Sequence, residues 1–315
     1  MKISGFSMVK NGGKLYYPVK ESIMSILPLV DEFVIALGDC DKDDDTREQI
    51  ESIGSDKIKI IDTVWDINKF SKGTEHAHQT DIAKEHCKGD WLFYLQADEV
   101  IHEKYLPVIE KRCRELLNDH EVEGILFKYL HFWGDYNHYQ HAHKWYKHEI
   151  RIVRNRPDIH SWESAQSFRR IPDFDGKTYR GHPNTYKLKV AKIDAYVYHY
   201  GWVRPPMFMA NKTKAIDTNH QGEEKAEKIS SSRGHKIDYG PLGKIHKFKE
   251  VHPKVMEGQI KKFNWADELN YTKKYRPGEM KFKHDKLKYN IITFLENKIF
   301  HRGIFTFKNY VLLKK

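Results

Sequence analysis

The segment Asp90-Trp91-Leu92-Phe93-Tyr94-Leu95-Gln96-Ala97-Asp98-Glu99 runs five bulky apolar or aromatic residues straight into two carboxylates. A run with no polar alternation is a strand buried on both faces, as in parallel sheets covered by helices. In open α/β sheets ligands bind off the carboxyl ends of strands, so Asp98 and Glu99 are expected at the lip of a crevice. The plain alternative is that the two carboxylates cap a helix beginning near Lys104.

Outward from this strand, short apolar stretches at 3–9, 33–37 and 58–61 alternate with helical periods, the pattern of an α/β domain around a mainly parallel sheet. Tyr16, Val19, Ile23 and Ile26 recur at steps of three or four, as do Leu106, Ile109, Cys113 and Leu116, and each set marks one apolar helix stripe. Further strands are expected at 124–130, 149–154 and 194–200, with an aromatic and His-rich excursion at 133–147. Beyond Pro205 the chain turns Lys-rich and helical in pattern, with loops expected at 230–234 and 240–243 and a capped helix after His252-Pro253. The tail from 286 to 315 mixes Ile, Phe, Tyr and Leu with basic residues, which suits either a cover for the core or a membrane-surface segment.

Composition narrows the function classes. Hydrophobic residues at 39% of 315 are enough for a sizeable core, so composition does not force disorder, and a collagen, coiled-coil or low-complexity chain is excluded. Cys40, Cys87 and Cys113 stand in no metal-binding spacing and read as reduced thiols. No apolar run approaches the roughly 18 residues of a membrane span, and the first ten residues lack a signal peptide's apolar region, so a cytoplasmic protein is expected. The net charge of +10 favours phosphorylated ligands, polyanions or an anionic membrane face. A nucleic-acid or polyanion binder is the rival from another class. Its lysines are dispersed and no RRM, KH, helix-turn-helix or zinc-finger signature occurs, so no nucleic-acid partner is expected.

A second acidic cluster, Asp39-Cys40-Asp41-Lys42-Asp43-Asp44-Asp45, follows the strand at 33–37. Asp39 lies nearest the strand end and is the member expected to accept a hydrogen bond from a base. The others read as a solvated loop in which Asp45 or Thr46 caps a helix at 47–53. Oxygen donors such as Asp98 and Glu99 suit Mg²⁺ or Mn²⁺, which take few protein carboxylates when a substrate supplies phosphates. His141 and His143 have zinc-like spacing, but no neighbouring Cys or carboxylate in the sequence completes a set.

Taken in order, Gly5-Phe6-Ser7-Met8-Val9-Lys10-Asn11, Leu27-Pro28-Leu29-Val30-Asp31-Glu32-Phe33-Val34 with Gly38-Asp39, Gln79-Thr80-Asp81-Ile82-Ala83, Gln96-Ala97-Asp98-Glu99-Val100 and Tyr198-His199-Tyr200-Gly201-Trp202 resemble the GT-A glycosyltransferases, specifically bacterial family 2 enzymes. The resemblance covers about two-thirds of the chain. It implies a GT-A nucleotide-sugar-binding and catalytic domain over 1–204 and a basic helical C-terminal extension over 205–315. It implies donor contacts from Phe6, Ser7 and Asp39; Gln79 and Gln96 are further expected donor contacts, and the cations Arg204, Arg151, Arg154 and Lys212 are diphosphate candidates because such groups match phosphate oxygens. Asp98 matches the last aspartate of the family's D-x-D motif and His199 a late histidine, so both are expected metal ligands for Mn²⁺ or Mg²⁺. Gln96 stands where the motif has its first Asp. It carries no charge to hold a cation, so Glu99 would have to compensate. Glu163 is the expected base, with Asp135 and Asp173 as competitors, and Trp133, Trp162 and Trp202 are expected to stack on the acceptor. The implied reaction is inverting transfer from a nucleoside diphosphate sugar, a UDP-sugar by family habit, to a hydroxyl of a glycan or lipid-linked glycan, with peripheral contact to an anionic membrane. A nucleotidyltransferase on a related sheet is the nearer rival; it would release pyrophosphate.

Overall fold

The computed structural model describes residues 1–279, 281–282, 285–299 and 307–315. Its first half contains β1 (Ile3–Val9), α1 (Val19–Ile26), β2 (Glu32–Leu37), α2 (Thr46–Glu51), β3 (Ile58–Asp62), α3 (Thr74–Glu85), β4 (Trp91–Tyr94), β5 (Glu99–Ile101) and α4 (Leu106–Leu116). There follow β6 (Gly124–Trp133), β7 (His138–Gln140), β8 (His148–Arg154), β9 (Ile159–Trp162), β10 (Ser167–Arg170) and β11 (Tyr186–Trp202). The C-terminal part holds α5 (Pro206–Gln221), α6 (Glu223–Arg233), β12 (His246–Lys247), α7 (Glu257–Lys261), α8 (Leu287–Phe294) and β13 (Tyr310–Leu312).

The sheet runs β3-β2-β1-β4-β8-β6-β11-β10-β9. Its first four strands are parallel. β8 is inserted antiparallel between β4 and β6, and β11 returns parallel to β6. The α/β architecture read from the sequence is therefore present, as a mixed sheet with a parallel N-terminal half. Alternation along β4 explains its unbroken apolar run. Trp91, Phe93 and Leu95 face one core with Ile23, Ile26, Ile109, Cys113 and Leu116 of α1 and α4. Leu92 and Tyr94 face the other with Phe6, Ala83 of α3 and Phe168. Helices on both faces leave no side of this strand for water, so no polar residue is tolerated.

The 205–315 segment is helical only in part. α6 continues through Ser230 to Arg233 and stops at Gly234, whose φ of 85° suits a residue without Cβ, so the loop expected at 230–234 is the last turn of a helix. After His252-Pro253 the chain makes a 3₁₀ turn at Lys254–Met256 and only a five-residue α7. Met209, Ile237, Tyr239, Leu242, Met256, Trp265 and Leu269 from this segment build a third core with Phe132, Trp133, Tyr198 and Tyr200 at the ends of β6 and β11. β13 pairs with the start of β11.

Candidate active site

The carboxyl ends of β1, β4 and β11 converge on one cavity of about 1050 Å³, closed on one side by α5. That volume lies just above the roughly 300–1,000 Å³ of small-molecule sites. Lys10 and Asn11 follow β1, Gln96 and Asp98 follow β4, His199 and Trp202 end β11, and Lys212 reaches in from α5.

Backbone and side-chain bonds hold the turn that presents Asp98. Ser7 Oγ donates to Leu95 O at 2.6 Å, Ser22 Oγ to Gln96 O at 3.1 Å, and Tyr200 N to Asp98 O at 2.8 Å. Asp98, in the turn closed by Glu99 N donating to Gln96 O at 2.9 Å, and Glu99, the first residue of β5, then part ways. Asp98 faces the cavity. Glu99 is fully buried, gripped by Arg151 through two 2.7 Å bonds and by Tyr129 Oη at 2.7 Å. Glu99 is thus spent inside the protein and does not supplement Asp98 toward a cation, and neither carboxylate caps a helix at Lys104, where the His102 side chain takes that bond. Arg151 is committed to Glu99. Arg154 is committed to the carbonyls of Leu116, Leu117, Asp119 and Val122, so neither guanidinium serves a diphosphate.

Asp98 Oδ2 accepts from Lys212 Nζ at 2.7 Å, and Oδ1 lies 3.6 Å from His199 Nε2. Burial pushes the Asp98 carboxyl up, but the charges of Lys212 and then Arg204 hold it well below the usual carboxylate range. Burial and the neighbouring Arg204 charge push Lys212 down to about 8, against the pull of Asp98. Lys212 also donates to Gly201 O at 2.8 Å. A Cβ on Gly201 would stand 2.5 Å from His199 Nε2 and 3.1 Å from Asp98 Oδ2, so glycine is needed for this close approach.

His199 sits against His131, with their Nδ1 atoms 3.0 Å apart. His131 Nε2 lies 2.8 Å from the Tyr146 carbonyl, which only accepts, so His131 carries its proton on Nε2. Its Nδ1 is then the acceptor and His199 Nδ1 the donor, which leaves the His199 Nε2 lone pair turned toward Asp98. Burial lowers both imidazoles below their ordinary value, which keeps the pair neutral.

Asp98, His199, Gln96 and Trp202 line the cavity. Phe6 and Ser7 do not. Phe6 is packed between Tyr94 and Phe168, and Ser7 is buried with its hydroxyl bonded to Leu95 O, so both face away from any nucleobase. Met8, Val9, Lys10 and Asn11 line the cavity in their place. Asp39 is exposed at the rim, bonded to Lys10 Nζ at 2.8 Å and Trp65 N at 3.0 Å. Gln79 is buried within α3, its amide on Glu75. Arg204 is fully buried behind the wall, donating to Leu15 O with its guanidinium 4.7 Å from the Tyr17 ring.

Trp133 is sealed, stacked at 4.4 Å on Trp202 and bonded to Tyr239 O, and so cannot meet an acceptor. Trp162 lies under Arg169, away from the cavity lining. Glu163 points to Arg180 at 4.0 Å and is not among the lining residues, whereas Ser164 and Gln166 are. Asp135 is held by His138, and Asp173 takes a bond from Asn184. His143 meets Glu296, a carboxylate 153 residues away. In the acidic loop, Asp45 occupies the N-cap position of α2 without a capping bond, and Asp44 binds the Thr46 amide instead.

Sequence reasoning missed Lys10, Asn11, Trp65, His76 and His131 as cavity residues. The position of Lys10 and Asn11 right after an apolar strand was the available signal for those two. No local signal marks His131, whose place comes from strand register.

The Asp98 Oδ2 does not fit a divalent ion: Mg²⁺ would sit about 2.0–2.1 Å from it, where Lys212 Nζ already stands at 2.7 Å. Oδ1 faces His199 Nε2 at 3.6 Å, and an ion there would share its carboxylate with the fixed Lys212 ammonium. Among the described residues no group of three or more His, Cys, Asp or Glu side chains is arranged to hold a metal.

No protein-family model and no curated protein matches this sequence. Solved structures with a partly similar chain path include S. aureus TarS, 16% identical with a TM-score of 0.37 over 74% of this chain and 42% of that one. They also include S. aureus TarS 1-349 in complex with UDP-GlcNAc, 16% identical with a TM-score of 0.36 over 74% and 71%. Glucosyl-3-phosphoglycerate synthase from Mycobacterium tuberculosis, in complex with Mn²⁺, UDP and phosphoglyceric acid, is 18% identical with a TM-score of 0.28 over 42% and 43%. The chain spans less than half the length of full TarS. Likeness of this extent fixes neither substrate nor reaction.

Proposed function

We propose that this chain is a glycosyltransferase that binds a nucleoside diphosphate sugar, a UDP-sugar, in the cavity off β4 and passes the sugar to a hydroxyl of a glycan or lipid-linked glycan. The observation that carries the reading is the meeting of Asp98, His199 and Lys212 at the lip of β4, on a cavity large enough for such a donor. A diphosphate needs cations, and Lys10, Lys14, Lys212 and Lys214 line the same space. A pyranose presents an apolar C–H face, and Trp65, Trp145 and Trp202 supply flat surfaces for it. In the inverting reaction the acceptor oxygen bonds to the anomeric carbon while that carbon's bond to the phosphate oxygen breaks. The electron pair leaves with the nucleoside diphosphate. Glu163, outside the lining, is given no part in this.

UDP is expected to raise the melting temperature, because a ligand binding only the native state stabilises it. Purified chain incubated with a panel of nucleotide sugars should release the nucleoside diphosphate slowly, and Asp98→Asn should release much less. Release of pyrophosphate would favour a nucleotidyltransferase instead. Absence of stabilisation by every nucleoside diphosphate, or equal turnover by Asp98→Asn, would overturn the reading.

The same reading has the chain acting peripherally on the cytoplasmic face of an anionic membrane. Support comes from α8, where Leu287, Ile291 and Phe294 lie exposed at helical spacing beside Lys286, Lys288 and Lys298. Among the described residues no helix is long and apolar enough to cross a bilayer. Co-sedimentation with phosphatidylglycerol vesicles and not with phosphatidylcholine vesicles is the expected result.

A further inference from the structure

Of the acidic groups that line this cavity, Asp41 is paired with Lys14 at 2.8 Å and Glu223 is exposed at the start of α6. Gln96 is neutral, and its amide donates to Ala165 O at 3.1 Å. Glu99 is locked to Arg151. Asp98 remains, and its Oδ2 is taken by an ammonium at 2.7 Å. The two groups that best suit a cation, the Asp98 carboxylate and the His199 Nε2 lone pair, lie 3.6 Å apart. The cation beside them is supplied by the chain itself.

Lys212 is anchored rather than loose. It comes from the first half of a sixteen-residue helix, is 6% exposed, and uses two N–H groups on Asp98 and Gly201 O. An ammonium has three such donors, and this residue lines the cavity, so one donor remains for a ligand. Its Nζ stands 4.8 Å from the Tyr17 ring, and the Arg204 guanidinium lies 4.7 Å from the same ring. Arg204 has no carboxylate partner among the described ion pairs. Two buried cations therefore face one carboxylate, and the surplus positive charge is that of a site awaiting an anion. A metal ion on the remaining Asp98 oxygen would share that carboxylate with the Lys212 ammonium and be repelled by it.

Resting on the reading of this cavity as a nucleoside diphosphate site, we propose that Lys212, backed by Arg204, replaces the divalent cation, so that the chain binds and activates its donor without metal. As the bond from the anomeric carbon to the β-phosphate oxygen breaks, the electron pair stays on that oxygen. The third Lys212 N–H donates to it, and no proton need transfer from Lys212. The acceptor hydroxyl's proton passes to water in the open cavity. A fixed ammonium does so with little reorganisation, because Asp98 and Gly201 O already orient it.

Isothermal titration of UDP into the full chain, once in EDTA and once in Mn²⁺, tests this on the unaltered protein. The expected result is an affinity equal within about twofold in the two buffers, less than half a kcal/mol apart. UDP binding that appears only with Mn²⁺ overturns this inference alone. No binding in either buffer overturns the nucleotide-site reading and this inference with it. Lys212→Met is expected to weaken UDP binding in EDTA by about ten- to a hundredfold, the worth of a charge-assisted hydrogen bond. Mn²⁺ should restore part of that loss, because Asp98 and His199 are then uncovered. Lys212→Arg keeps the charge and is expected to bind UDP in EDTA better than Lys212→Met. Equal UDP affinity of Lys212→Met and the unaltered chain in EDTA overturns the proposal.

Discussion

Replacing Glu99 by Gln keeps the shape of the side chain and removes its charge, at a site where both partners are fully buried. Glu99 and Arg151 share two 2.7 Å bonds, with no solvent exposure of either side chain. Glu99 also accepts from Tyr129 Oη at 2.7 Å and from the Gln96 backbone N–H at 3.1 Å. The neutral amide introduced by Glu99→Gln cannot balance the charge of Arg151, whose remaining partners are the carbonyls of Ile150 and Gln166. Breaking a buried pair from one side costs about 3–5 kcal/mol, because a charge is left uncompensated. At about 2.1 cal/mol/K of unfolding entropy per residue, 315 residues correspond to about 0.66 kcal/mol/K. The melting temperature should therefore fall by about 5–8 °C. Calorimetry at neutral pH measures this, with Arg151→Met and the double variant completing a cycle. The double variant should lose much less than the sum of the single losses, since removing both charges leaves neither stranded. A Glu99→Gln protein melting within about 1 °C of the unaltered chain would refute the reasoning. It would mean that the carboxylate is solvated and open to other work.

Three further outcomes are expected. His252 is held between the Tyr200 hydroxyl and the Tyr136 carbonyl, and burial pushes it down to about 4 from an ordinary 6.5. The unfolded chain takes up that proton below about 6.5 and the folded chain resists until about 4, so stability falls as pH is lowered through this window and is unaffected above it. Urea unfolding across that range should show a shallower pH slope in His252→Gln, and identical slopes would exclude the residue. Gly201→Ala places a Cβ 2.5 Å from His199 Nε2; the displaced imidazole should cost about 1–3 kcal/mol of stability and weaken UDP binding, both read in one thermal-shift titration with UDP. Glu163→Gln should leave nucleotide-sugar turnover unchanged, because the carboxylate faces Arg180 outside the cavity lining; loss of turnover would return it to the reaction centre.

Much of the frame is written locally. The apolar run at 91–95, the stripes of α1 and α4, and the carboxylate at the end of a buried strand follow from period and burial alone. They place chemistry off the end of β4 without knowledge of any partner. The errors fall where direction or distance matters. Phe6 and Ser7 lie in the expected strand, yet both side chains are committed to the interior, and a motif position does not say which face of a strand it takes. Trp133 and Trp202 look equivalent in composition, but one is sealed behind the other.

The site itself was assembled by contacts that no local pattern records. Lys212 reaches Asp98 across 114 residues, and His131 faces His199 across 68 because β6 and β11 pair in parallel with those two residues in register. Sequence period sets which residues are buried and which elements form, since burial acts on each element separately. The identity of each charge's partner depends on strand register and on how α5 returns over the sheet, and those are properties of the closed chain alone.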